Sequence, residues 1–295
     1  MSRMRLNLYD LEIKFIKGKR IEDEFSIKNS LKKVVEYNCD KDKQDRKKND
    51  RKQNKIFYLD GYKCENSILK LCFVSAKYNS VKNVIDTETL TPKGKLKSTK
   101  DGDEEKTHVF IVFGNENIDC YVEYNYSGIS KTKIQDYLNE CIKDYYKENK
   151  FYGINLELVP SDEFLEELAN AKRLNLVKFV MDKEDLECSE FRDMSDRNDI
   201  REDVEIIYKP VLRTSIDKNT IRDYLNKKES SNKIKRIIVE AEGENSKIRL
   251  DTDQMKKNYY MEVESEIDTN SFDTESAFKE FEKNFIGVDI IEVAN

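Results

Sequence analysis

The chain has 295 residues, of which 53 are Lys or Arg and 59 are Asp or Glu, for a formal charge of -6 with its one histidine neutral. That length holds one large domain or two modest ones, and the acidic balance argues against phosphate-led binding over the whole surface. A single histidine excludes His-cluster metal sites and leaves one candidate for any His-based triad.

In chain order, Leu6, Leu8, Leu11, Ile13 and Phe15 come close to alternation, which predicts a strand over 4–16. Ser26 then reads as the N-cap of a helix at about 27–37, carrying Ile27, Leu31, Val34 and Val35 at helical spacing. Residues 40–54 contain no apolar residue after Cys39 and are expected to be a mobile loop. Ile56–Leu59 and Ile68–Val74 predict a hairpin with Asp60-Gly61 at its turn. The mostly polar stretch 79–106 predicts a long exposed loop.

The clearest segment runs from His108 to Tyr146. Strands at about 107–113 and 118–126 flank Gly114-Asn115-Glu116-Asn117, and Ser130 caps a helix with Ile134, Tyr137, Leu138, Cys141, Ile142 and Tyr145 on one face. Gly153–Val159 predicts a strand, Ser161 a capped short helix, and Leu174–Val180 another strand. The charged stretch 182–203 reads as a lobe junction. Beyond it come a strand at Val204–Tyr208, a short helix capped by Asn219-Thr220, and a hairpin of 234–239 with 248–250 around Gly243. A strand at 259–263, a helix capped by Thr274 with Phe278, Phe281 and Phe285, and a last strand at 288–293 complete the series. The expected fold is α+β, with mainly antiparallel sheets, flanking helices and two lobes. The lobes are expected at 1–182 and 204–295, joined through 183–203.

The six cysteines (Cys39, Cys64, Cys72, Cys120, Cys141 and Cys188) form no CxxC and read as reduced thiols of a cytoplasmic protein. The N-terminus has no apolar signal-peptide core, and no run approaches the ~18 apolar residues of a membrane helix. The glycines sit singly, without a phosphate-cradling motif, so no nucleotide cofactor is expected, and no metal either. His108, between Thr107 and an apolar strand, reads as structural rather than catalytic. Asp10, Glu12 and Lys14 share one face of the first strand. That is the geometry of a metal-dependent nuclease site and equally that of a solvated strand face, so enzymatic activity stays an open alternative.

Two basic concentrations remain. Residues 41–55 hold eight basic residues against three acidic ones, and residues 209–236 hold nine against three. Segregated charge of this kind makes an anion-binding face on an acidic protein, or a solvated surface. The candidate nucleic-acid contacts are Lys47, Lys48 and Arg51 in the first, and Arg213, Arg222, Lys227, Lys228, Lys233, Lys235 and Arg236 in the second. No helix-turn-helix or zinc-finger pattern is present to read bases.

The succession HVFIVFGNENIDCYVEYNYSGISKTKIQDYL, INLELVPSDEFLEELANAKRLNLVKFV, EIIYKPVLRTSIDKNTIRDYL and KIKRIIVEAEGENSKIRLD resembles the RexA-type phage-exclusion proteins over roughly residues 55–265. The likeness rests on element order and hydrophobic pattern. It implies a homodimeric antiviral-defence (abortive-infection) protein in the cytoplasm. Such a protein binds double-stranded DNA without sequence preference and acts with a membrane effector. A protein-interaction module recognising a phage protein through the 79–106 loop is a further alternative.

Overall fold

A computed structural model describes residues 2–16, 26–79, 83–85, 87–95, 97–115, 117–149, 152–182, 203–226, 234–243, 247–266 and 271–285. The expected α+β class holds: the described residues form mainly antiparallel sheets with helices packed on them.

The first unit is Met1–Leu156 together with Tyr259–Asn295. It is built on an eight-stranded sheet of β1 (Ser2–Phe15), β2 (Lys48–Asp50), β3 (Lys55–Glu65), β4 (Ile68–Lys77), β7 (Glu104–Phe113), β8 (Ile118–Glu123), β9 (Tyr152–Leu158) and β14 (Asn258–Val263). Its order is β14-β1-β8-β7-β4-β3-β2, with β9 also on β1. β4, near the centre, is buried on both faces, and the sheet is accordingly covered twice.

Alternation along the strands assigns the faces. Leu69, Leu71 and Phe73 of β4, Val109 and Ile111 of β7, and Cys120 and Val122 of β8 share one core with helix α1 (Ile27–Cys39) and helix α3 (Lys131–Tyr146). Ser26 and Ser130 cap these helices, accepting from the backbone N–H of Asn29 and of Lys133. On the opposite face lies α6 (Thr274–Phe285). Its Phe281 ring stacks on Phe110 at 3.9 Å between centroids and meets Tyr121 at 5.3 Å.

Residues 40–54 are ordered rather than a mobile loop. A one-turn helix α2 (Lys43–Arg46) leads into β2, which pairs with β3. The anchor is polar. Arg46 is buried and donates to the carbonyls of Leu59 at 2.8 Å and Asp60 at 3.3 Å. The Tyr137 hydroxyl lies 3.0 Å from the Arg46 carbonyl. An arginine stem buries apolar surface as well as charge, so a segment without apolar residues still gains an anchor.

The hairpin turn also lies elsewhere. β3 and β4 are joined by Asn66-Ser67, both with positive φ (46° and 62°), between the paired residues Glu65 and Ile68. A two-residue turn with both φ positive matches the right-handed twist of its strands. Asp60-Gly61 instead marks a register shift inside β3. Within 79–106, Asn83–Ile85 (β5) and Pro92–Lys95 (β6) form a two-stranded ribbon, and Glu104 already belongs to β7.

The second unit is Glu157–Asn258. Its four-stranded sheet runs β11 (Asp203–Tyr208), β10 (Arg173–Asp182), β12 (Ile234–Glu242), β13 (Lys247–Asp251). Helix α4 (Asp162–Asn170, capped by Ser161) contributes Phe164 and Leu168 to the core, and helix α5 (Lys218–Asn226) contributes Ile221. They pack with Leu174, Val177, Phe179, Ile237, Val239, Ala241 and Leu250.

The expected lobe boundary is therefore displaced. β10 pairs with both β11 and β12, so the strand expected to close the first lobe is central to the second unit. A strand inside a sheet pairs along both edges, and β10 finds both partners on the far side of 183–202. Most of that junction and the strand at 288–293 lie outside the described residues.

Candidate nucleic-acid interface

The first basic segment is partly paired with acidic groups. Lys41 pairs with Asp144, Lys43 with Asp60 at 2.5 Å and Lys48 with Glu140. Lys47 is exposed and donates to the side chain of Gln44 at 2.8 Å. Lys55 donates to the carbonyls of Ser127 at 2.8 Å and Gly128 at 2.6 Å, and burial lowers its pKa. Arg51 stays exposed, in a turn where the Asp50 carboxylate accepts from the backbone of Lys52 and Gln53.

The second segment belongs to the other unit. Lys227, Lys228 and Lys233, and the side chain of Lys235, lie outside the described residues. Arg236 is committed internally: its Nε donates to Asp251 at 2.7 Å, and a second guanidinium nitrogen pairs with the other carboxylate oxygen. Asp251 is buried, which disfavours its charge, but the Arg236 contact outweighs that and lowers its pKa. A bidentate pair of this kind holds β12 to β13 and leaves little of the fork for a phosphate.

Of the remaining cations, Lys209, Arg213 and Arg222 are exposed, and the half-buried Lys218 donates to the Ala169 carbonyl at 2.8 Å. β11 ends at Tyr208, and the following turn is closed by the Thr214 backbone and hydroxyl, both donating to the Val211 carbonyl at 3.0 and 2.7 Å. The turn is fastened to β10, because Arg173 donates to the Thr214 carbonyl at 2.8 Å and Leu174 N–H to the Ser215 hydroxyl at 3.0 Å. Asp217, rather than Asn219 or Thr220, receives a first-turn N–H of α5, that of Asn219 at 3.1 Å. Arg213 sits at φ 67°. A left-handed non-glycine residue costs about 1–2 kcal/mol.

The same face is apolar as well as basic. Val211 and Leu212 are 77% and 85% exposed, and Tyr208 and Tyr224 are exposed too, whereas Ile207, next to Tyr208 in β11, points to the other side of the sheet. Phe179 links the two tyrosines, with centroids 5.9 Å from Tyr208 and 5.3 Å from Tyr224.

The nuclease candidates share a face as expected. Glu12 and Lys14 form an ion pair at 3.9 Å, and Asp10 lies opposite Asp119 of β8. Among the described residues, no group of three His, Cys, Asp or Glu side chains could hold a metal.

A second constellation escaped the sequence reading. His108 is fully buried between β7 and α6. Its Nδ1 is 2.7 Å from Glu123 Oε2, and that oxygen also accepts from the His108 backbone at 2.9 Å. Its Nε2 is 3.1 Å from the Thr274 hydroxyl, which lies 3.5 Å from Cys72 Sγ. Burial opposes charge on His108, but contacts with Cys72 and Glu123 outweigh it and raise its pKa to about 9. A protonated imidazole donates from both nitrogens, which suits these two acceptors. Thr274 was expected to cap α6, but Asp273 accepts from Ser276 N–H at 2.7 Å instead, freeing Thr274 for the histidine.

Nearby, Lys70 is buried and pairs with Glu282 of α6 at 2.7 Å and with Glu65 at 3.0 Å. The available signal was polar: Lys70, His108 and Glu123 interrupt apolar strands at positions of the same parity as their α6-facing neighbours.

No protein-family model matches the chain, and no curated protein is similar to it in sequence. No helix of the described residues is long and apolar enough to cross a membrane, and the five described cysteines are free.

Proposed function

We propose that this chain binds nucleic acid without sequence preference through the second unit, using Lys209, Arg213 and Arg222. The observation that carries the reading is their exposure on one turn and one helix, with Arg213 at a left-handed backbone position, while Lys48 and Arg236 are engaged with acidic partners and Lys47 with Gln44. Non-specific binding needs only cations at phosphate spacing. The wider role follows the RexA-like order of elements: a cytoplasmic phage-exclusion sensor, homodimeric, bound to duplex DNA and acting with a membrane effector.

Fluorescence anisotropy with a labelled oligonucleotide tests the binding site. The logarithm of affinity is expected to fall with the logarithm of salt by about 0.9 per phosphate contacted, giving a slope of about -2 to -3 for these cations. Arg213→Glu with Arg222→Glu is expected to weaken binding at least about tenfold, or ~1.4 kcal/mol. Unchanged affinity in that variant refutes the assignment.

A further inference from the structure

The cations alone do not account for the face that carries them. Tyr208, Val211, Leu212 and Tyr224 are all exposed within 17 residues that also hold Lys209, Arg213 and Arg222. The outer surface of a duplex presents phosphate and sugar, with its base faces stacked away, and gives such side chains little to cover. A single strand presents both: phosphates for the cations and unpaired base faces for the rings.

We infer that the face formed by the end of β11, the 209–216 turn and α5 is a stacking platform for single-stranded nucleic acid. The inference rests on the nucleic-acid reading above and replaces the duplex of that reading by a single strand as the preferred substrate.

The geometry suits a platform. Tyr208 stands at the end of an edge strand and Tyr224 at the flank of the buried stripe of α5, and both rings contact Phe179. Both outer rings are therefore braced from below and open above, at 53% and 38% exposure. The bracing limits the rotamer freedom lost when a base stacks. Val211 and Leu212 extend the apolar surface along the turn, and the left-handed Arg213 closes it. Two acidic residues share the region. Asp217 accepts from the Asn219 backbone, and Asp223 lies beside Arg222 in α5. The cations still outnumber them, so an anion meets a net attraction.

The test uses the full chain with a labelled oligothymidylate of about 20 nucleotides and a duplex of equal length, at one fixed salt concentration. The single strand is expected to bind at least about tenfold more tightly. Tyr208→Ala with Tyr224→Ala is expected to remove that preference, whereas Tyr208→Phe with Tyr224→Phe keeps it, because a phenyl face stacks as a phenol does. Circular dichroism confirms that each variant folds. Duplex bound as tightly as single strand, with the alanine variant unaffected and the Arg213→Glu, Arg222→Glu variant impaired, overturns the platform and leaves the nucleic-acid reading standing. Binding of neither oligonucleotide overturns both. A self-association abolished by Leu212→Asp in a chain that binds no oligonucleotide assigns the face to a second copy instead.

Discussion

Replacing His108 by glutamine tests whether the polar cluster under α6 holds a charged histidine. Glutamine keeps a donor toward Glu123 but cannot titrate. The folded-state pKa of His108, about 9, lies above the ordinary ~6.5 of a free histidine. Stabilisation from this group is therefore complete below about pH 6.5 and is lost as pH rises through about 9. A displacement of that size corresponds to roughly 3 kcal/mol. A second route gives a similar figure, because removing one partner of a buried pair costs about 3–5 kcal/mol. Against a typical total of about 5–15 kcal/mol, that is a large share.

The assay is urea denaturation followed by tyrosine fluorescence, at about pH 6 and about pH 9.5, for wild type and His108→Gln. Wild type is expected to lose most of the ~3 kcal/mol between the two and the variant little of it. The Cys72 thiol contacts the same imidazole, so Cys72→Ser serves as a control for that contact. A double-mutant cycle of His108→Gln with Glu123→Gln is expected to give a coupling of about 1–3 kcal/mol. Equal pH dependence in wild type and His108→Gln, or no coupling, refutes a charged pair at this position.

Lys70 makes a contrasting case. Lys70→Ala strands the buried end of Glu282 and is expected to cost about 3 kcal/mol in denaturant melts, whereas Lys70→Met with Glu282→Leu is expected to be near neutral because the ions leave together. Ser67→Gly turns the β3–β4 connection into Asn-Gly at a position with φ 62° and is expected to raise the melting temperature by about 2–4 °C, read by calorimetry. Arg236→Ala is expected to destabilise the second unit by about 2–4 kcal/mol through the buried Asp251 it abandons. The pair's contribution is present above the ordinary carboxylate range, near pH 4, and lost as pH falls through the lowered Asp251 pKa; acid-unfolding midpoints that match in wild type and variant contradict this.

Local chemistry determined much of this protein directly from its sequence. Ser26, Ser130 and Ser161 precede apolar positions at helical spacing, and each side chain accepts a backbone N–H within its own first turn. The near alternation in β1 and the short apolar runs of β4, β7 and β8 likewise mark strands. The Asn66-Ser67 turn was missed for a local reason: Gly61 is the more obvious turn former, yet it lies where a strand changes register.

Only the tertiary structure decided what the polar residues do. Lys48 and Glu140, Lys70 and Glu282, and His108 and Thr274 meet across long stretches of chain, and no local period relates them. Arg236 looked like one cation among nine until β13 brought Asp251 against it. The same holds for the unit boundary, since β10 chose its partners by hydrogen-bonding need rather than by proximity in the chain. A charge run records how many cations a segment carries. Which of them remain exposed depends on the acidic groups that folding brings beside them, and here Lys209, Arg213 and Arg222 stay at the surface beside Tyr208 and Tyr224.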